Sequence, residues 1–219
     1  MSTLARPPRA AAGGDAGPPS VKQALLDSAV RLLGAQGPSG ATARAVCAEV
    51  GVGAPALYHH YGDLPSLHRA AVNAAFDRVA VCYRPRSARR DALQSVRDSW
   101  ALFMQFAAEQ PTLCRLVVQQ VASGDAPPSV VAAYTRMVAD LGELRAQGRL
   151  ARPPADAAQM LWAAALGAAV LVACAAQDDR LDPNLNLPVL EALLAALLTD
   201  PVQAGTRRPA GKILFRTGP

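Results

Sequence analysis

Residues 41–61 read Ala41-Thr42-Ala43-Arg44-Ala45-Val46-Cys47-Ala48-Glu49-Val50-Gly51-Val52-Gly53-Ala54-Pro55-Ala56-Leu57-Tyr58-His59-His60-Tyr61. Thr42 stands where an N-cap belongs, because its side-chain oxygen can accept a hydrogen bond from an amide in the first turn of the helix that follows. That helix ends near Gly51, the permissive residue that a sharp turn between two helices requires. A second short helix follows from about Ala54 to His60. Val46, Val50, Val52 and Leu57 then form a small core between the pair. Two short helices joined in this way make a helix-turn-helix, with residues 54–60 as its recognition helix.

Working outward, the N-terminal neighbour is a helix beginning near Ser20, where Ser20 and Gln23 form a capping box. Val21, Leu25, Ala29, Leu32 and Leu33 recur at helical spacing, and Gly37-Pro38-Ser39-Gly40 stops the run. On the other side Asp63 caps a fourth helix that reaches about Cys82, with Pro65 tolerated in its first turn. Pro85 breaks the pattern. Further helices are expected near 88–109, 112–122, 128–147 and 155–177, and a last one at 187–199 capped by Asn186. Asn-Gly hairpin signals and clean period-two alternation are absent. The chain therefore reads as all-α, with about nine helices in total. A flexible arm (1–19) leads into a three-helix helix-turn-helix head (20–64), then a C-terminal helical bundle (65–199) and a basic tail (200–219).

With the residues of the head in view, the chain resembles the tetracycline-repressor (TetR) family of regulators over about residues 20–67. The resemblance rests on the threonine-led second helix, the Val50-Gly51-Val52 turn and the ending Leu57-Tyr58-His59-His60-Tyr61. A weaker likeness to a Trp-x-x-x-His-Gly element covers Trp162 to Gly167, with Leu166 where the histidine would be. The resemblance implies a double-stranded DNA partner. Thr42 and Arg44 would face phosphates or a base edge, Ala54, Pro55 and Ala56 would enter the major groove, and Tyr58 and His59 would touch the backbone. His60 would pack inward. It also implies an effector pocket in the bundle, for which Trp100, Phe103, Met104, Val117, Tyr134, Met137 and Trp162 are the candidates. Two departures stand out: Leu64 occupies a position where the family has a phosphate-holding lysine, and the charges from Ser20 to Leu64 sum to zero.

The formal net charge of +5 and pI near 9.4 suit a polyanionic partner only mildly. Two lysines, Lys22 and Lys212, accompany 20 arginines. Arg6, Arg9 and Arg69, or Arg207, Arg208 and Lys212 of the tail, are the candidates for the charge that the head lacks. Arg84, Arg86, Arg89 and Arg90 form the densest basic cluster and read as a solvated loop. Cys47, Cys82, Cys114 and Cys174 show no CxxC spacing, so small apolar side chains are the reading rather than a zinc or redox site. His59, His60 and His68 lack metal-ligand spacing, and no phosphate loop, GxSxG elbow or carboxylate pair occurs. The expectation is a non-enzymatic protein without cofactor or metal.

Residues 157–176 imitate a membrane span, but they are mostly Ala and Gly, so a buried or dimer-forming helix is expected and no membrane partner. Without a signal peptide the expected location is the cytoplasm. A homodimer is expected through Ala164, Gly167, Ala168, Leu171, Leu190, Leu193, Leu194 and Leu197, whose small residues permit close approach. The function expected is a repressor released from a near-palindromic operator by an apolar or aromatic small molecule. The alternative is a small-molecule binding protein that has lost its DNA.

Overall fold

The computed structural model describes residues 20–82, 91–175 and 177–199. The arm, the Arg84–Arg90 cluster and the tail lie outside them. The elements run α1 (Val21–Gly40), α2 (Ala43–Val50), α3 (Ala54–Tyr61), α4 (Leu64–Cys82), α5 (Ala92–Glu109), α6 (Pro111–Ala122), α7 (Pro128–Ala146), α8 (Pro154–Ala175), a short 3₁₀ turn (Pro183–Leu185) and α9 (Asn186–Leu197). The protein is all-α, as its Ala- and Leu-rich composition implies.

Local hydrogen bonds set the boundaries of the head. Ser20 Oγ accepts from the Gln23 amide at 3.2 Å, Thr42 Oγ1 from Ala45 at 3.2 Å, and Asp63 Oδ1 from Ser66 at 2.7 Å. Each satisfies a first-turn donor that the helix cannot satisfy itself. Gly51 closes α2 in the left-handed region at φ 75°, a conformation that costs a side-chain-bearing residue steric strain. Gly37, at φ 68°, ends the regular part of α1, and Pro38–Gly40 make a separate turn beyond it.

α1, α2 and α3 close around Leu25, Ala29, Leu33, Val46 and Leu57, all fully buried. Val50 and Val52 pack at the edge of this core. Val21, expected on the buried face, is exposed at the helix start. Tyr61 donates its hydroxyl to the Lys22 carbonyl at 2.7 Å and so pins α3 to α1. Glu49 does the same for α2: it accepts from Ser28 Oγ at 2.6 Å and from Arg31 at 2.8 and 3.0 Å.

α4 joins head to bundle. Leu67, Ala71, Val72, Ala75 and Phe76 are buried along it, and the Phe76 ring meets Phe103 and Phe106 edge-on at 6.0 and 5.6 Å. In the bundle α8 packs against α5, α6, α7 and α9. Its apolar stretch is long enough to cross a membrane, yet 44% of it is buried inside the protein. Ala157, Ala158, Ala165, Ala168, Ala169 and Ala173 face inward, and small residues let the neighbouring helices approach.

The last helix differs from expectation. Asn186 is its first residue, not its cap: Asn186 Oδ1 accepts from Trp100 Nε1 at 3.1 Å and its Nδ2 donates to the Pro183 carbonyl. The helix stops at Leu197 rather than 199. Leu198 turns extended and forms an antiparallel bridge with Leu150, fixed by Ala151 N to Leu197 O and Thr199 N to Arg149 O. The apolar run through residues 197–198 hid this change. Cys47 and Cys114 are buried and free, and burial pushes the Cys114 thiol up to about 12. Among the described residues no group of His, Cys, Asp or Glu is placed to hold a metal.

Candidate nucleic-acid interface and bundle cavity

Most of the head residues that the sequence singled out are exposed. Thr42 and Arg44 lie at the start of α2, and Ala54, Pro55, Tyr58 and His59 along α3; all are exposed, while Ala56 is half-buried. Tyr58 is 51% exposed although Leu57 beside it is fully buried. Such a division within one short helix leaves the aromatic ring and hydroxyl at the surface. His60 is half-buried, its ring edge-on to His59 at 5.0 Å.

The head's charges sort themselves by position. Arg31 is held by Glu49 and Asp27 by Arg78, while Asp63 is used as a cap. Lys22 lies over the Tyr61 ring at 5.9 Å. Arg44 has no acidic partner among the described residues and stands exposed in the first turn of α2. Leu64, at the position of the family's phosphate-holding lysine, packs against the core at the start of α4. Of the candidate suppliers of charge, Arg69 is described, and it is engaged by Asp125 at 3.2 Å, between α4 and the α6–α7 loop.

A family comparison matches residues 25–64 to "Bacterial regulatory proteins, tetR family". This is a tetR-family head. Outside it, solved structures share the fold of the whole described chain at low identity. SmeT of Stenotrophomonas maltophilia, the repressor of the multidrug efflux pump SmeDEF, is 22% identical with a TM-score of 0.60, over 87% of this chain and 97% of its own. A TetR-family transcriptional regulator of Pectobacterium atrosepticum is 23% identical at 0.63, over 82% and 95%. A protein of Saccharomonospora viridis solved with choline is 13% identical at 0.64, over 82% and 98%. No curated protein sequence matches.

Behind the tetR-family head, a cavity of about 180 Å³ opens among α5, α6, α7 and α8, with Phe76 of α4 also reaching it. Of the residues singled out in the sequence for an effector pocket, Trp100, Phe103, Val117, Met137 and Trp162 line this cavity. Met104 and Tyr134 do not. Met104 is buried on another face of α5, and Tyr134 stands edge-on to Trp162 at 5.5 Å, behind the wall. The sequence reading missed Phe76, Ser99, Ser129 and Arg136. The α7 members Ser129, Ala132, Ala133, Arg136 and Met137 recur at helical spacing, a signal that would have found them. A second, more polar cleft of about 300 Å³ lies between the head and α5–α6, with Val30, Arg78, Gln105 and Glu109 in its walls.

The eight residues expected at a subunit interface divide. Ala168, Leu190, Leu194 and Leu197 are buried within the protomer and back the surface rather than form it. Ala164 and Leu193 are half-buried. Gly167 and Leu171 are exposed, and Met160, Leu187 and Val189 join them as exposed apolar residues on α8 and α9.

Proposed function

We propose that this protein is a DNA-binding transcriptional regulator, a cytoplasmic repressor released from a near-palindromic operator by a small, largely apolar molecule, and not an enzyme. The observation that carries the reading is the pattern of exposure in the head. Thr42, Arg44, Ala54, Pro55, Tyr58 and His59 are exposed, while Ala41, Val46 and Leu57 next to them in sequence are buried. Arg44 supplies a guanidinium that pairs bidentately with a guanine edge, and the Tyr58 hydroxyl reaches a phosphate. Ala54 and Ala56 offer methyl contacts to thymine, so groove shape carries part of the specificity.

A two-fold dimer supplies two heads. Its supporting feature is the apolar surface of Met160, Gly167 and Leu171 on α8 with Leu187 and Val189 on α9. Release follows from Phe76, which lines the cavity and belongs to α4, the helix that carries the head. A ligand that displaces this ring favours a different placement of α4 and separates the two heads from the operator spacing. Selection of bound fragments from random duplex DNA tests the reading: recovery of a shared near-palindrome supports it, and recovery of no shared sequence leaves a small-molecule binding protein as the better account.

A further inference from the structure

The cavity's polar groups say more about its occupant than its apolar walls do. We propose that it takes a compact aromatic acid: one ring, a carboxylate held by Arg136, and a hydrogen-bonding substituent at the far end met by Ser129. The proposal rests on the effector-binding reading above and names the ligand class for that site.

Size comes first. An apolar cavity of about 150 Å³ holds a benzene, and pockets for drug-sized ligands run from about 300 to 1,000 Å³. At about 180 Å³ this cavity takes a single ring with a few added atoms. Its walls, with Phe76, Trp100, Phe103 and Trp162, offer ring faces and edges of the kind that pack an aromatic guest.

Charge comes next. Among the described lining residues Arg136 is the one charged side chain, and it is exposed on α7. A guanidinium pairs with a carboxylate through two parallel hydrogen bonds. The same charge opposes a cationic guest, which the aromatic walls would otherwise attract; no acidic side chain lines the cavity among the described residues.

The third group is Ser129. Its Oγ is buried and has no hydrogen-bond partner, whereas the other lining hydroxyl, Ser99, already donates to the Ser95 carbonyl at 2.9 Å. A buried hydroxyl left alone is costly and becomes satisfied when a guest supplies the partner. Ser129 and Arg136 lie on one face of α7, seven residues and therefore roughly 10 Å apart along its axis. Helical side chains lean toward the N-terminus, so the Arg136 chain shortens that gap to about the length of a para-substituted ring.

The test uses the full chain and three probes of one shape: 4-hydroxybenzoate, 4-hydroxybenzamide and 4-hydroxybenzylamine, with benzoate as the fourth. Calorimetry gives affinities, and emission from the protein's two tryptophans, both in the cavity wall, locates the site. The acid should bind about tenfold tighter than the amide, and more tightly still than the amine. Arg136→Met should bring acid and amide to about equal affinity, with amide binding serving as the control for folding. Ser129→Ala should weaken 4-hydroxybenzoate severalfold toward the affinity of benzoate. An amide or amine that binds as well as the acid, or an acid preference that survives Arg136→Met, overturns the proposal. If the acid fails but neutral indole perturbs the tryptophans and releases DNA, the ligand class is wrong and the effector reading stands. If no probe binds a protein that holds its operator, both fail.

Discussion

Replacing Glu49 by alanine should unfasten α2 from α1 at a cost of about 2 kcal/mol. Ser28 is fully buried, and its hydroxyl donates to Glu49 Oε2 at 2.6 Å. Removing the carboxylate strands that hydroxyl, and a buried unsatisfied group costs about 1–3 kcal/mol. The Arg31–Glu49 pair adds less, since the Arg31 side chain is 58% exposed and exposed pairs contribute roughly 0–1 kcal/mol. Urea unfolding at fixed protein concentration measures the sum. Ser28→Ala supplies the control: with the donor gone, Glu49→Ala strands nothing, and its added cost should fall below about 1 kcal/mol. Costs that simply add in the double variant would refute the reasoning. The pH dependence follows with a definite sign. The Ser28 hydrogen bond first, then Arg31, hold the Glu49 carboxyl below its ordinary value. Its contribution is therefore full above the ordinary glutamate range and is lost as pH falls through the lowered folded value. Glu49→Gln should flatten that part of the acid limb.

Gly51→Ala should cost about 1–2 kcal/mol in the same urea assay. An added Cβ there meets nothing within 4 Å, so the whole effect comes from φ 75° rather than from a clash. Gly167→Arg also enters open space within the protomer; it should leave the helical circular dichroism intact and turn a sedimenting dimer into a monomer. Tyr58→Phe, measured by fluorescence anisotropy, should weaken selected and random duplexes by the same factor, because a phosphate contact carries no base information.

The head was legible because its signals are local. Thr42, Asp63 and Ser20 each bond an amide three residues on, and Gly51 marks its own backbone conformation. The bundle was legible in its elements but less so in its faces. α9 is apolar nearly all round, so its leucines do not announce which ones face the core; Leu190, Leu194 and Leu197 do, and Leu187 does not. Helical spacing on α5 found Trp100 and Phe103. No spacing rule brings Phe76 from α4 to the same cavity, or assigns Asn186 to Trp100 across 86 residues. Such contacts arise from packing between elements, which a single helix's periodicity does not encode.

The central claim is that this head reads DNA through α2 and α3. Its most direct test is the affinity of wild type and Arg44→Ala for a selected fragment and for that fragment's single-position variants, at several salt concentrations. The account predicts that wild type prefers a near-palindrome, and that Arg44→Ala loses about 1–3 kcal/mol and its preference at one position per half-site. Equal binding of all variants by both proteins, or no binding at low salt, would contradict it.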